Sequence, residues 1–75
     1  ENEPKTLEEA IEELQKVNCA IVSYNRTIDF EKNIELSFSE FRKFAIKTKV
    51  VFMTHDDMGV PTLLVIYNKK TYIWK

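Results

Sequence analysis

His55 is the only histidine in the chain, and two carboxylates, Asp56 and Asp57, follow it directly. A histidine beside carboxylates can serve as a general base or join a metal site, as in a small hydrolase or nuclease. However, a metal site needs three or four converging ligands, and aspartates in a turn usually hydrogen-bond their own backbone. We therefore assign no catalytic residue, keep these three only as candidates for that alternative, and expect no metal and no cofactor.

The other patterns that carry catalysis are missing from the sequence. With one glycine, the chain cannot form a phosphate-binding glycine loop, and no serine or cysteine has a neighbouring base. The nuclease pattern of an acid two residues before a lysine fails at Lys69, because Tyr67 occupies that position. These absences favour a non-enzymatic domain over an enzyme.

Cys19 is the only cysteine, so an internal disulfide is impossible. A lone cysteine fits a reducing compartment, and we expect a cytoplasmic protein. Cys19 opens an apolar run and has no cation close in sequence, so a buried thiol is expected. No apolar stretch is long enough to span a bilayer, and we expect no membrane partner.

Charge is segregated along the chain although the net charge is only −1. Residues 1–40 carry ten acidic and four basic side chains, whereas residues 41–75 carry seven basic and two acidic ones. Such a dipolar surface can orient a partner of either sign, including a second copy in the reverse direction.

Nucleic-acid binding is one alternative function that this charge pattern suggests. Its candidate residues are the bases of the second predicted helix and of the last turn: Arg42, Lys43, Lys47, Lys49, Lys69 and Lys70. Tyr72 and Trp74 offer rings on which bases can stack. Against this reading, the isoelectric point near 5.8 is far below that of a typical nucleic-acid-binding domain.

Two capping boxes and helical spacing predict both helices. Thr6 and Glu9 precede apolar residues at helical spacing and indicate a first helix over residues 6–17. Ser37 and Glu40 precede a phenylalanine-rich stripe and indicate a second helix over residues 38–47. We expect residues 1–5 to form a disordered leader to a single domain over residues 1–75.

Five apolar or alternating segments predict strands. Residues 19–24 are apolar on both faces and indicate an interior strand. Residues 28–38 alternate, which fits one long bulged strand or a hairpin, and we prefer a strand confined to residues 33–37 after an irregular segment. Strands over residues 50–54, 62–67 and 71–74 follow, joined by turns short enough for hairpins. Gly59 is expected at a positive φ.

These elements predict a small α+β domain of order α-β-β-α-β-β-β. We expect a four- or five-stranded, mostly antiparallel sheet with both helices packed on one face. Two short helices cannot shelter all the apolar side chains of the late strands, which are Val51, Met53, Leu63, Val65, Tyr67, Tyr72 and Trp74.

The surplus of apolar side chains indicates an interaction domain. The last strand lies at a chain end, where it can be an edge that pairs with another chain. We therefore expect a homodimer, or a complex with another protein, that forms through an exposed sheet face or this edge. The interface candidates are Tyr72, Ile73 and Trp74.

Overall fold

A computed structural model describes residues 3–74 of the chain. It has two helices, α1 (Leu7–Lys16) and α2 (Phe38–Thr48), and five strands, β1 (Ala20–Thr27), β2 (Ile34–Leu36), β3 (Val50–His55), β4 (Pro61–Tyr67) and β5 (Lys70–Trp74). The predicted element order is confirmed, and so is the short second strand after an irregular segment. Of the predicted leader, Glu1 and Asn2 lie outside the described residues, while the Lys5 backbone N–H donates to the Glu9 carboxylate at 2.8 Å.

The two helices begin where the sequence predicts, but only one is capped by its side chain. The Thr6 hydroxyl accepts a hydrogen bond from the Glu9 backbone N–H at 3.2 Å, which satisfies one free donor of α1. Ser37 occupies the matching position of α2 and makes no such bond. Its hydroxyl lies 3.3 Å from the Ser39 hydroxyl instead, so the second predicted capping box does not form.

The five strands form one mixed sheet in the order β1-β3-β4-β5-β2. The β3–β4 and β4–β5 pairs are antiparallel, which confirms the predicted meander. The β1–β3 and β2–β5 pairs are parallel, so the expectation of a mostly antiparallel sheet is wrong. Parallel pairs need long crossover connections, and α2 with its flanking segments provides them here.

The edges of the sheet also differ from expectation. β1, predicted to be an interior strand, is an edge, because within residues 3–74 it pairs only with β3. β5, predicted to be an edge, lies inside the sheet because the three residues of β2 pair along its outer side. Continuous apolar character therefore does not mark the interior strand in this fold.

Both helices pack on one face of the sheet, as predicted. Their apolar stripes meet the strands in the main core, which includes Ala10, Leu14, Phe38, Phe41, Ala45, Val51, Leu63 and Val65. Burial of these side chains is the principal stabilising term, at about 25 cal/mol per Å² of apolar surface removed from water. The expectation that two short helices leave some apolar side chains of the late strands uncovered is wrong. All seven of those side chains lie on this face and pack on the helices or the core.

The opposite face of the sheet is covered only in part. β1 and β2 are the two edges, so residues 28–33, the crossover segment, must span the sheet between them. Ile28 of this segment is buried against Leu64 and Ile73, which places the segment on the face away from the helices. Tyr24 and Phe52 pack beside this small cluster and stay partly exposed.

Candidate functional site

The exposed apolar surface of the sheet lies beside the edge strand β1. Val22 pairs in register with Phe52 and points, like it, away from the helices. Val22 is 39% exposed, and the Tyr24 and Phe52 rings contact each other with centroids 5.0 Å apart. We call Val22, Tyr24 and Phe52 together with the outer edge of β1 the β1 surface. It is an apolar sheet face continuous with a strand edge that no other strand within residues 3–74 pairs with.

The outer edge of β1 offers backbone groups as well as side chains. The Ala20 N–H donates to the Lys49 carbonyl at 2.8 Å, and β1 then pairs with β3 in regular register as far as Ser23. In a parallel ladder, alternate residues face the partner strand, so the N–H and C=O groups of Ile21 and Ser23 point outward. The register shifts between Ser23 and Thr27, and this irregularity ends the flat part of the edge.

The edge of β1 is weakly protected against pairing with another chain. Natural edge strands are usually blocked by lysine, proline, a bulge or very short length. The flat part of β1, residues 20–23, holds neither a charge nor a proline, and Arg26 lies beyond it, within the register shift. β2, at the other edge of the sheet, is only three residues long. Of the two edges, β1 is the one suited to accept a strand.

The predicted interface residues of β5 lie within the protomer. Ile73 is fully buried under the crossover segment. Tyr72 stacks on Phe44, and Trp74 packs edge-on against Phe38 with ring centroids 5.7 Å apart. Because β2 covers the outer side of β5, the idea that this strand is an exposed carboxyl-terminal edge is wrong.

Four lysines gather at one end of the sheet, which we call the basic end. Lys47 and Lys49 lie at the end of α2 just before β3 begins, Lys69 lies in the turn between β4 and β5, and Lys70 is the first residue of β5. Since β4 runs antiparallel to β3, its last residue lies beside the start of β3. Two of the four, Lys49 and Lys69, adopt left-handed backbone conformations with φ of 65° and 64°.

Aromatic rings line the basic end but are already in contact with one another. The Lys47 ammonium lies 5.4 Å from the Phe44 ring centroid and 5.3 Å from that of Tyr67. Phe44 contacts both the Tyr67 and the Tyr72 ring. The Tyr72 and Trp74 rings, which the sequence suggested as stacking platforms, are therefore packed against α2.

The remaining candidate bases, Arg42 and Lys43, occupy a different place. They line a groove of about 580 Å³ between the helices, together with Phe38, Ser39 and the acidic Glu13. The six candidate nucleic-acid-binding residues thus divide into two groups, and two acidic residues, Glu3 and Glu13, line the groove beside Arg42 and Lys43.

Carboxylates gather at the opposite end of the sheet, which we call the acidic end. Asp29, Glu31 and Asp57 line one pocket of about 420 Å³ with the end of β1. Asp56 is adjacent in sequence, and Lys32 lies 3.8 Å from the Asp29 carboxylate. These carboxylates and the four lysines of the basic end are therefore separated along the strand direction, although Asp56 and Asp57 come from the basic half of the sequence.

The candidate catalytic residues have structural contacts. The Asp56 carboxylate accepts hydrogen bonds from the backbone N–H groups of Met58 and Val60, at 3.0 and 2.8 Å. The His55 Nδ1 lies 2.9 Å from the Asp56 carbonyl oxygen. Among residues 3–74, no three histidine, cysteine, aspartate or glutamate side chains are arranged to hold a metal ion. Asp56 shapes the β3–β4 loop, whose Gly59 has the predicted positive φ of 84°.

Cys19 is buried as predicted, with 5% of its surface exposed. Its thiol donates to the Ala45 carbonyl oxygen at 3.3 Å. Burial raises the pKa of the Cys19 thiol, and the nearby charges of Lys49 and Arg42 offset this only in part. A thiol that stays protonated is a poor nucleophile, so Cys19 is a packing residue.

Reasoning from the sequence missed the β1 surface because it assigned β1 to the interior. The signal that could have revealed it is the absence of any charge in residues 20–25 next to a segment that must leave the sheet.

No helix within residues 3–74 has the length and apolar character needed to cross a bilayer. Comparison with protein-family models, curated proteins and solved structures found no significant match, so the β1 surface and the two charged ends are the basis for assigning function.

Proposed function

We propose that this chain is a non-enzymatic protein-interaction domain that self-associates through the β1 surface. The observation that carries the proposal is Val22, which is 39% exposed on an apolar sheet face, next to a strand edge left unpaired by the described part of the chain. Exposed edges that lack protecting charges pair readily with other chains. A cytoplasmic location accompanies the proposal and is supported by the single free cysteine.

The composition of the β1 surface supports an interface. Tyrosine and phenylalanine are enriched at the centres of protein interfaces, where their rings bury large areas at low entropic cost. Tyr24 and Phe52 already contact each other, which fixes their rings before a partner arrives. Preorganised side chains lose less conformational freedom on binding, so even a small surface of this kind can hold a partner.

Sedimentation velocity over a range of concentrations tests the proposal. We expect concentration-dependent association of the wild type, and we expect Val22→Lys to raise the dissociation constant by about tenfold or more. A lysine at this position both removes an apolar contact and places a charge at the pairing edge.

Met58→Lys is the matched control, because Met58 is 85% exposed in the β3–β4 loop and is not part of the β1 surface. It exchanges the same class of side chain for the same charge and, near 1 M salt where charges at the ends of the sheet are screened, should leave association unchanged. A wild type that remains monomeric at every concentration, or equal effects of both substitutions, would refute the proposal.

Nucleic-acid binding at the basic end is the second candidate function. The specific observation in its favour is that Lys47, Lys49, Lys69 and Lys70 converge at one end of the sheet although they come from two parts of the chain. Clustered lysines neutralise phosphates and release counterions, which gives salt-dependent affinity. The aromatic rings beside them pack on one another, so this candidate rests on phosphate contacts alone.

Fluorescence anisotropy with single- and double-stranded oligonucleotides at low salt tests this second candidate. If binding occurs through the basic end, Lys69→Glu combined with Lys70→Glu should weaken the affinity. The slope of log affinity against log salt concentration should also become shallower by about one unit per lost phosphate contact. Reversal of Arg42 and Lys43, which line the groove between the helices, should have a smaller effect. Absence of binding by the wild type would eliminate the candidate.

A further inference from the structure

We infer that the partner at the β1 surface is a second copy of this chain, whose β1 pairs antiparallel with the first about a two-fold axis at Val22. The two five-stranded sheets then become one continuous sheet with all four helices on the same side. This inference rests on the proposed function and specifies its geometry.

The backbone of β1 determines the register of this pairing. The outward N–H and C=O groups of the flat segment belong to Ile21 and Ser23. In an antiparallel ladder, residues that exchange hydrogen bonds must both point at the partner. Ile21 of each copy therefore pairs with Ser23 of the partner subunit, and every outward group of the flat segment is satisfied. The register shift that follows Ser23 prevents the ladder from extending much further.

This register places Val22 at the centre of the interface. Val22 faces its own counterpart as a non-hydrogen-bonded pair, in which Cα atoms are about 4.5 Å apart. Two isopropyl groups that are partly exposed in the monomer thus cover each other on the open side of the sheet. Cross-strand pairs of β-branched side chains in such positions favour association.

Charge complementarity selects a second copy in the reverse direction. β1 runs from the basic end, beside Lys49, to the acidic end, beside Glu31 and Asp57. Antiparallel pairing brings the basic end of each copy to the acidic end of the other, whereas parallel pairing would bring like charges together. Two ion pairs, Glu13–Lys16 and Asp29–Lys32, are each neutral overall and therefore do not change this charge contrast. Arg26 reduces the contrast at the acidic end without reversing it.

Disulfide trapping tests the geometry. In Val22→Cys, the two introduced thiols should form an intermolecular disulfide in a glutathione redox buffer, because about 4.5 Å between Cα atoms lies within the disulfide range. Ser23→Cys is the matched control one residue away. The two cysteines introduced at position 23 would be offset along the strands by about two residues. Their Cα atoms would be roughly 8 Å apart, which is too far for a disulfide. Wild-type protein, with only the buried Cys19, should remain unlinked.

Ile66→Lys distinguishes failure of this inference from failure of the proposed function. Ile66 is 40% exposed on the same sheet face but lies on β4, two strands away from the pairing edge. Edge pairing predicts unchanged association in Ile66→Lys together with a Val22→Cys crosslink. Two outcomes would show that the antiparallel edge geometry is wrong while the interaction function survives. In the first, the protein associates but Ser23→Cys forms the crosslink in place of Val22→Cys. In the second, neither variant forms a crosslink and Ile66→Lys abolishes association. A monomeric wild type would overturn both.

Discussion

Phe44 on α2 and Tyr72 on β5 stack in parallel, with ring centroids 4.1 Å apart and ring planes 9° apart. The contact joins the carboxyl-terminal part of α2 to an interior strand of the sheet, and Tyr67 and Lys47 pack beside it. A ring whose face is used in this way is a packing residue. The surplus of aromatic side chains in the late strands therefore stabilises the protomer itself.

Tyr72→Ala should lower the free energy of unfolding by about 2–3 kcal/mol, because it removes a half-buried ring and its stacking contact with Phe44. Tyr72→Phe keeps the ring and should change stability by less than about 0.5 kcal/mol. Urea unfolding followed by circular dichroism measures both. A Tyr72→Ala variant with wild-type stability and weakened self-association would instead return Tyr72 to the interface.

The two helix starts form a matched pair for the energetics of capping. Thr6→Ala removes a side-chain hydrogen bond to the Glu9 N–H and should cost about 1 kcal/mol of stability. Ser37→Ala removes no bond to the α2 backbone and should cost distinctly less. Urea midpoints of the two variants give the comparison. Equal losses would mean that Ser37 caps α2 in solution.

The helices and most of the strands could be predicted because their signals are local. The apolar residues of α1, such as Ala10 and Leu14, recur at helical spacing, and this spacing alone indicates which face is buried. The hairpins β3–β4 and β4–β5 follow from short connections between apolar runs. Burial of Cys19 and the positive φ of Gly59 have equally local causes in residue type and neighbours.

The order of strands in the sheet could not be predicted, because it depends on contacts between distant residues. β2 has three residues, too few for a strong pattern, yet its pairing beside Tyr72 and Trp74 turns β5 from an edge into an interior strand. The path of the crossover segment, with Ile28 packed on Leu64 and Ile73, places β2 there. For this reason the candidate interface lies on β1 and not, as the sequence suggested, on the carboxyl-terminal strand β5.

The Cys19 thiol makes stability depend on pH in the alkaline range. Burial raises its pKa in the folded state above that of an exposed cysteine, which is about 8.5. Above that pH the unfolded chain loses this proton while the folded protein retains it, so stability should fall as pH rises towards the folded-state pKa. Below about pH 8 both states hold the proton, and Cys19 contributes no slope.

Cys19→Ser is the control that isolates this dependence, because serine keeps a donor for the Ala45 carbonyl and does not titrate. Urea unfolding of both proteins between pH 7 and 10 should show the wild type losing more stability than the variant above about pH 8.5. Parallel curves throughout would show that the thiol titrates alike in the folded and unfolded states.

The loop between β3 and β4 should depend on Asp56 and not on Asp57. Asp56→Ala leaves the N–H groups of Met58 and Val60 without their carboxylate acceptor and should lower stability by about 1–2 kcal/mol. Asp57 is exposed, and Asp57→Ala should have little effect on stability. Hydrogen exchange at the Val60 amide gives a local measurement, in which only Asp56→Ala should accelerate exchange. Equal acceleration in both variants would contradict the assigned role of Asp56.

Lys49 and Lys69 allow a charge test of the proposed dimer with matched backbone cost. Both lie at the basic end with nearly identical left-handed φ values, so substitution by glutamate strains the backbone equally. Only Lys49 is next to β1, since its carbonyl accepts the Ala20 N–H, whereas Lys69 lies in the β4–β5 turn beyond two further strands.

Antiparallel pairing brings Lys49 to the acidic end of the partner subunit. Lys49→Glu should therefore weaken dimerisation several-fold at low salt, and Lys69→Glu should weaken it less. The difference should vanish near 1 M salt, where screening acts over about 3 Å. Sedimentation equilibrium at both salt concentrations measures it, and a larger effect from Lys69→Glu would place the interface at the far side of the sheet.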